Sequence, residues 1–124
     1  IENIGTFLKI DSNTFFCEEP EDEKLLAISI DVEENQEIED GQIRILKKVI
    51  LHFDELVIKT IKYYESNNEL YSAEMGPLRY VDISIYKQGE EADFCIQAEF
   101  IEDEDSFIEV EFKNLKPVAI YGND

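Results

Sequence analysis

The spacing of apolar residues changes period twice along the chain, and each change marks an element boundary. Two short apolar runs, residues 7–10 and 14–17, flank Asp11-Ser12-Asn13. Asp, Ser and Asn side chains hydrogen-bond nearby backbone groups and favour a tight reversal, so the two runs predict a pair of strands. Pro20 then interrupts an acidic loop, residues 18–23. Over residues 25–32 the pattern alternates, with Leu26, Ile28, Ile30 and Val32 on one side and Ala27, Ser29 and Asp31 on the other. A period of two is the signature of a strand with one buried face.

In the middle of the chain the period lengthens to three and four. Ile43, Leu46, Val49, Ile50, Phe53, Leu56, Val57, Ile61 and Tyr64 share one face of a predicted helix over residues 42–65, and Arg44, Lys47, Lys48, Asp54, Glu55, Lys59 and Lys62 share the other. Asp40 is expected to cap it, and Ser66-Asn67-Asn68 to end it. A single helix of that span would be about 35 Å long; a bend near His52 or Asp54, giving two helices, is the alternative.

Alternation returns after Gly76-Pro77. Residues 79–87 put Val81, Ile83 and Ile85 inward and Tyr80, Asp82, Ser84 and Tyr86 outward. Residues 88–91 read as a hairpin loop containing Gly89. Residues 92–101 send Phe94, Ile96, Ala98 and Phe100 inward and Asp93, Cys95, Gln97, Glu99 and Ile101 outward. Residues 102–105 are expected to turn. Residues 107–112 alternate Ile108, Val110 and Phe112 against Phe107, Glu109 and Glu111, and residues 118–121 close the chain as a last strand. The expected fold is therefore α+β, one domain over residues 1–124, in the order β-β-β-α-β-β-β-β. A largely antiparallel sheet of about six or seven strands packs on one long or broken amphipathic helix, and its other face meets water or a partner.

Composition narrows the function. A hydrophobic share of 44% is enough for a core and argues against disorder. The 30 acidic and 11 basic residues give a formal net charge of −19. Phosphate backbones and anionic lipid need clustered cations, so direct nucleic-acid binding and membrane docking are disfavoured; the charge favours a basic protein partner, or simply high solubility. The charge is also segregated. Residues 18–40 hold eleven acids and one base, residues 90–111 hold ten acids and no base, and residues 42–64 hold five bases and two acids. The acidic field thus belongs to the sheet and its loops, and outward aromatics stand within it.

Candidate chemistry is sparse. His52 is the single histidine, placed mid-helix, and no nucleophile elbow, P-loop or dinucleotide fingerprint occurs. The expectation is a protein with no catalytic residues. Glu102-Asp103-Glu104-Asp105 has oxygens for Ca²⁺ but lacks the ligand spacing and central Gly of an EF-hand. No metal and no cofactor are expected. Cys17 and Cys95 read as reduced thiols, too few for a disulfide framework. No apolar run reaches transmembrane length. Residues 1–5 lack the basic and apolar regions of a secretory signal, so cytoplasm is the default compartment. The expected partner-binding set is Tyr80, Asp82, Tyr86, Glu90, Glu91, Asp93, Glu99, Glu102, Asp103, Glu104, Asp105, Phe107, Glu109 and Glu111. Aromatic anchors ringed by carboxylates suit a basic protein surface.

The run Gln42-Ile43-Arg44-Ile45-Leu46-Lys47-Lys48, continuing to Ile61-Lys62-Tyr63-Tyr64, resembles the helix of small bacterial immunity proteins. So does the ending Phe107-Ile108-Glu109-Val110-Glu111-Phe112, then Pro117-Val118-Ala119-Ile120. Such proteins accompany polymorphic-toxin and contact-dependent growth inhibition systems. The resemblance lies in spacing and residue class over most of the chain, with no invariant motif. It implies binding and blocking a cognate toxin domain, often a nuclease, and carries over no catalytic residue. Nuclease toxins bind phosphate and tend to be basic, which agrees with the charge. The alternative expectation is an acidic nucleic-acid mimic that inhibits a DNA-binding protein, of the anti-restriction or anti-CRISPR type.

Overall fold

The computed structural model describes residues 1, 3–21, 27–66, 78–101 and 103–123. Its elements are β1 (Leu8–Asp11), β2 (Thr14–Cys17), β3 (Ala27–Asp31), α1 (Asp40–Leu51), α2 (Phe53–Ser66), β4 (Leu78–Ile85), β5 (Phe94–Phe100), β6 (Asp103–Lys113) and β7 (Lys116–Asn123). All seven strands form one sheet in sequence order. The α+β class holds, but three expectations about it are corrected.

First, of the two expected forms of the helix the broken one is found, and the order β-β-β-α-β-β-β-β becomes β-β-β-α-α-β-β-β-β. His52 ends α1 in a non-helical conformation (φ −103°, ψ 20°). Its N–H reaches back to the Lys48 and Ile50 carbonyls, and its own carbonyl accepts the Leu56 N–H at 3.0 Å. The buried stripe Gln42, Leu46, Val49, Phe53, Leu56, Thr60, Tyr64 passes through this junction without a change of phase. Periodicity therefore predicts one helix while the backbone bends. The bend lets α1 lie against β4 and α2 against β7, following a sheet whose twist a straight rod of about 35 Å could not track.

Second, the sheet is mixed: most of its pairs are antiparallel, but one pair at its centre is parallel, which the expected plan did not contain. β3 and β4, its inner strands, run parallel, with Ile28 opposite Ile83 and Ile30 opposite Ile85. Parallel neighbours need a long crossover, and α1–α2 supplies it. The other adjacent pairs are antiparallel. Third, Asp103–Asp105 are not a turn. They open β6, with Asp103 opposite Phe100 beyond an irregularity at Glu99/Phe100; pairing with β5 overrides the low strand propensity of acidic residues. Glu102 lies outside the described residues, as do Leu25, Leu26, Asn67, Asn68, Gly76 and Pro77. Asp40 proves to be the first residue of α1 and Glu39 the cap.

The core is built by the predicted alternation. Ile28, Ile30, Ile83, Ile85, Phe94, Ile96, Ala98, Phe100, Ile108, Val110 and Phe112 form one cluster with Leu46, Val49, Phe53, Leu56 and Tyr64 of the helices. Phe94 and Phe112 stack at 4.9 Å with rings within 5° of parallel. Two polar side chains are buried in the helical stripe with hydrogen bonds made: Thr60 Oγ1 donates to the Leu56 carbonyl at 2.8 Å, and Gln42 ties the layers together. Gln42 Nε2 donates to the Asp31 carbonyl (2.5 Å) and the Tyr86 carbonyl (3.0 Å), and its Oε1 accepts the Glu39 N–H (3.0 Å). It thereby fastens the start of α1 to the ends of the parallel pair. At the N-terminal edge, Gly5 adopts φ +151°, and a Cβ there would sit 2.5 Å from Cys17 Sγ.

Candidate interaction face

With both helices on one side, pairing brings the outward residues of the strands into rows on the other. One row runs Leu8, Phe16, Ser29, Ser84, Cys95, Glu111, Ala119 across all seven strands. The next runs Ala27, Asp82, Gln97, Glu109, Tyr121. Beyond a bulge in β4, Glu99 lies opposite Arg79 and Phe107. The face is apolar at its β1 end, hydroxyl-lined in the middle and acidic toward β7.

Of the expected set, Asp82, Tyr86, Glu99, Phe107, Glu109 and Glu111 share this face and are partly buried there. Tyr86 donates its hydroxyl to Glu111 Oε2 at 2.7 Å. Glu99 is ion-paired with the Arg79 guanidinium. Ser29 and Ser84 share a hydrogen bond of 2.9 Å across the parallel pair. Glu90 and Glu91 are exposed in the β4–β5 loop, at the rim of an open cleft of about 510 Å³ that Asp31, Tyr86, Lys87 and Glu111 also line. Asp93 is engaged elsewhere: it accepts Lys113 Nζ at 3.0 Å and the Asn114 N–H at 2.9 Å, securing the β6–β7 turn. Tyr80 lies opposite Ala98, across the bulge from Asp82; its side chain is outside the described residues, as are those of Asp103, Glu104 and Asp105.

Desolvation dominates the electrostatics. Burial raises the Asp82 carboxyl to about 6, with Glu109 adding to the rise and a hydrogen bond from the Ile83 backbone opposing it. Its Oδ1 is buried without a hydrogen-bond partner among the described residues. Burial also raises Asp31; Lys87 opposes that shift, while Asp11 and Glu90 add to it. Cys95 is pushed up to about 11, chiefly by burial, so it stands as a neutral thiol. Tyr86 is raised by burial first and by Cys95 and Glu111 after it, which keeps its hydroxyl a donor. Tyr121 is raised first by the Glu111 charge.

Sequence reasoning left Ser29 and Asp31 out of the site. Alternation marked Ser29 and Asp31 as outward, but nothing in the sequence joins residues 27–31 to residues 82–86; the parallel pairing does that. Chemically the face is an acceptor surface with few cations. Arg44, Lys47, Lys48 and Lys62 are exposed on the helices, and His52 stands 3.8 Å from Glu55 in that layer. Among the described residues no three His, Cys, Asp or Glu side chains converge as a metal cage, and no helix is long and apolar enough to cross a membrane. No family model matches the chain, and neither the curated proteins nor the solved structures yield a match.

Proposed function

We propose that this chain is an immunity-type inhibitor: a cytoplasmic protein that binds a basic toxin domain, one to one, and covers its substrate surface. The observation that carries the reading is the separation of charge between two layers. One sheet face gathers Asp82, Glu99, Glu109 and Glu111 around Tyr86, Phe107 and Tyr121, while exposed Arg44, Lys47, Lys48 and Lys62 lie on the helical layer. Opposite potentials steer association and fix orientation, and partly buried aromatics beside charged groups supply the anchors such interfaces use. Asp82 suits this role because its Oδ1 is already desolvated and has no hydrogen-bond partner among the described residues; a lysine or arginine of the partner placed nearby would favour its charged form. The chain has no catalytic step of its own in this reading.

The test is to co-express this chain with the C-terminal domain encoded by each neighbouring reading frame. The expected result is that one such domain arrests growth alone, is neutralised by this chain and elutes with it as an equimolar complex. If a growth-arresting neighbour is neither neutralised nor bound, the reading is wrong.

A further inference from the structure

The two edges of the sheet are not equally protected. The β7 edge carries Lys116 and Pro117, and both charge and proline obstruct strand addition. The β1 edge has no proline, and its four residues, Leu8 to Asp11, are exposed. Leu8 is 67% and Ile10 59% exposed, unusual for aliphatic side chains of a strand. Lys9 does not guard this edge from the other side, because its ammonium sits 5.7 Å from the centre of the Phe15 ring. Leu8 and Ile10 border, with the half-buried Phe16, an open cleft of about 400 Å³ whose other wall holds Glu18, Glu19 and Glu21. Among the described residues β1 is paired with β2 alone. The cleft thus combines an open strand edge, an apolar floor and an acidic wall.

We infer that β1 is a docking edge for a β-strand of a basic partner, which adds to the sheet as an eighth strand. The incoming strand would place apolar side chains on Leu8, Ile10 and Phe16 at alternate positions, and lysine or arginine against Glu18, Glu19 and Glu21. Main-chain hydrogen bonds would supply register, and the side-chain pattern would supply selectivity. A second copy of this chain is the wrong occupant. It would bring a net charge of −19 and the same glutamates to the edge. The register irregularity between Lys9 and Asp11 confines the new ladder to a short stretch. Leu8 shares its row with Glu111, so a partner seated on the acidic face would reach β1 across the same surface. The inference rests on the inhibitor reading for the identity of the partner, but not for the chemistry of the edge.

The probe is a synthetic nine-residue peptide of alternating lysine and valine, titrated into the full chain and followed by amide chemical shifts and hydrogen exchange. A glutamate–valine peptide is the control. Shifts at residues 5–10 and 16–21 with the basic peptide only, together with new protection of β1 amides, support the edge. The variant L8D/I10D removes the apolar floor and adds two negative charges, which by themselves would attract the basic peptide, so it should bind at least tenfold more weakly only if the apolar contacts carry the docking. Circular dichroism checks its fold, which substitution at two exposed positions should preserve. Equal or tighter binding by the variant, shifts confined to Glu109 and Glu111, or no shift with either peptide would overturn the inference. So would concentration-dependent self-association lost in the variant, which would make a second copy the occupant. The shifts at Glu109 and Glu111 alone would leave the inhibitor reading standing, and that reading has its own test in co-expression.

Discussion

Asp82→Asn should make this protein more stable at neutral pH. The ordinary value for the unfolded carboxyl is 3.8, and burial raises it to about 6 in the fold. Between those values the native state holds a proton that the unfolded chain releases. Stability is therefore lost as pH rises from about 4 to 6, and the penalty is complete above that window. A gap of about two pH units at about 1.4 kcal/mol each gives roughly 3 kcal/mol as an upper figure. Asp82 keeps partial contact with solvent, so we expect about 1–2 kcal/mol at pH 7.5. Asparagine keeps an oxygen for the Ile83 N–H, carries no charge and offers Glu109 a donor. Urea unfolding followed by circular dichroism, with both proteins measured at pH 7.5 and pH 5, reads the effect; both conditions lie above the isoelectric point near 4.2. The gain from asparagine should fall by about half at pH 5, where much of the native carboxyl is already protonated. A gain that is the same at both pH values, or a loss at pH 7.5, would refute the assignment of this burial cost to Asp82.

Gln42→Ala should cost about 2–4 kcal/mol in the same urea assay, because it removes a buried side chain and strips partners from the Glu39 N–H and the partly buried Asp31 and Tyr86 carbonyls; a cost under about 1 kcal/mol would mean that water replaces them. Glu109→Lys and Glu111→Lys should each weaken binding to the toxin domain by about 1 kcal/mol or more, while Lys47→Glu and Lys62→Glu change it little, as measured by calorimetry. The association rate should fall steeply as salt rises from about 50 to 500 mM, since screening shortens to a few Å; a salt-independent rate in stopped flow would remove steering from the account.

The strands and their buried faces were legible because each has one wet side, so alternation in residues 94–100 and 107–112 reports the core directly. Helix content was legible for the same reason, and the bend at His52 stood as the alternative to a single helix, but periodicity could not choose between them. Val49 and Phe53, on either side of His52, stay in phase, and the bend depends on which strands the two halves cover. The parallel pairing of β3 with β4 was invisible because no local signal encodes a contact between Ser29 and Ser84, 55 residues apart. Loss of that contact from the reading also removed Ser29 and Asp31 from the expected site. Asp93 was assigned to the binding face by parity alone, yet a lysine twenty residues later claims it. The acidic run at 103–105 looked like a turn because composition outweighed pairing, and the β5 hairpin reverses that order.

The parallel pair also sets a schedule for synthesis. The strands from β4 to β7 are joined by short connections and can assemble as they emerge, and β1–β3 can pair among themselves, but the other edge of β3 must wait for β4. At about 5–20 residues per second, the 55 residues between Ser29 and Ser84 take roughly 3–11 s to translate. Through that interval Ile28 and Ile30 have no β4 to pair with, and a nascent strand with an open flank invites association with its neighbours on the same message. The glutamates and aspartates of residues 18–23 and 31–34 bracket this segment in the sequence. Their repulsion acts before any fold exists, holding waiting strands of adjacent chains apart.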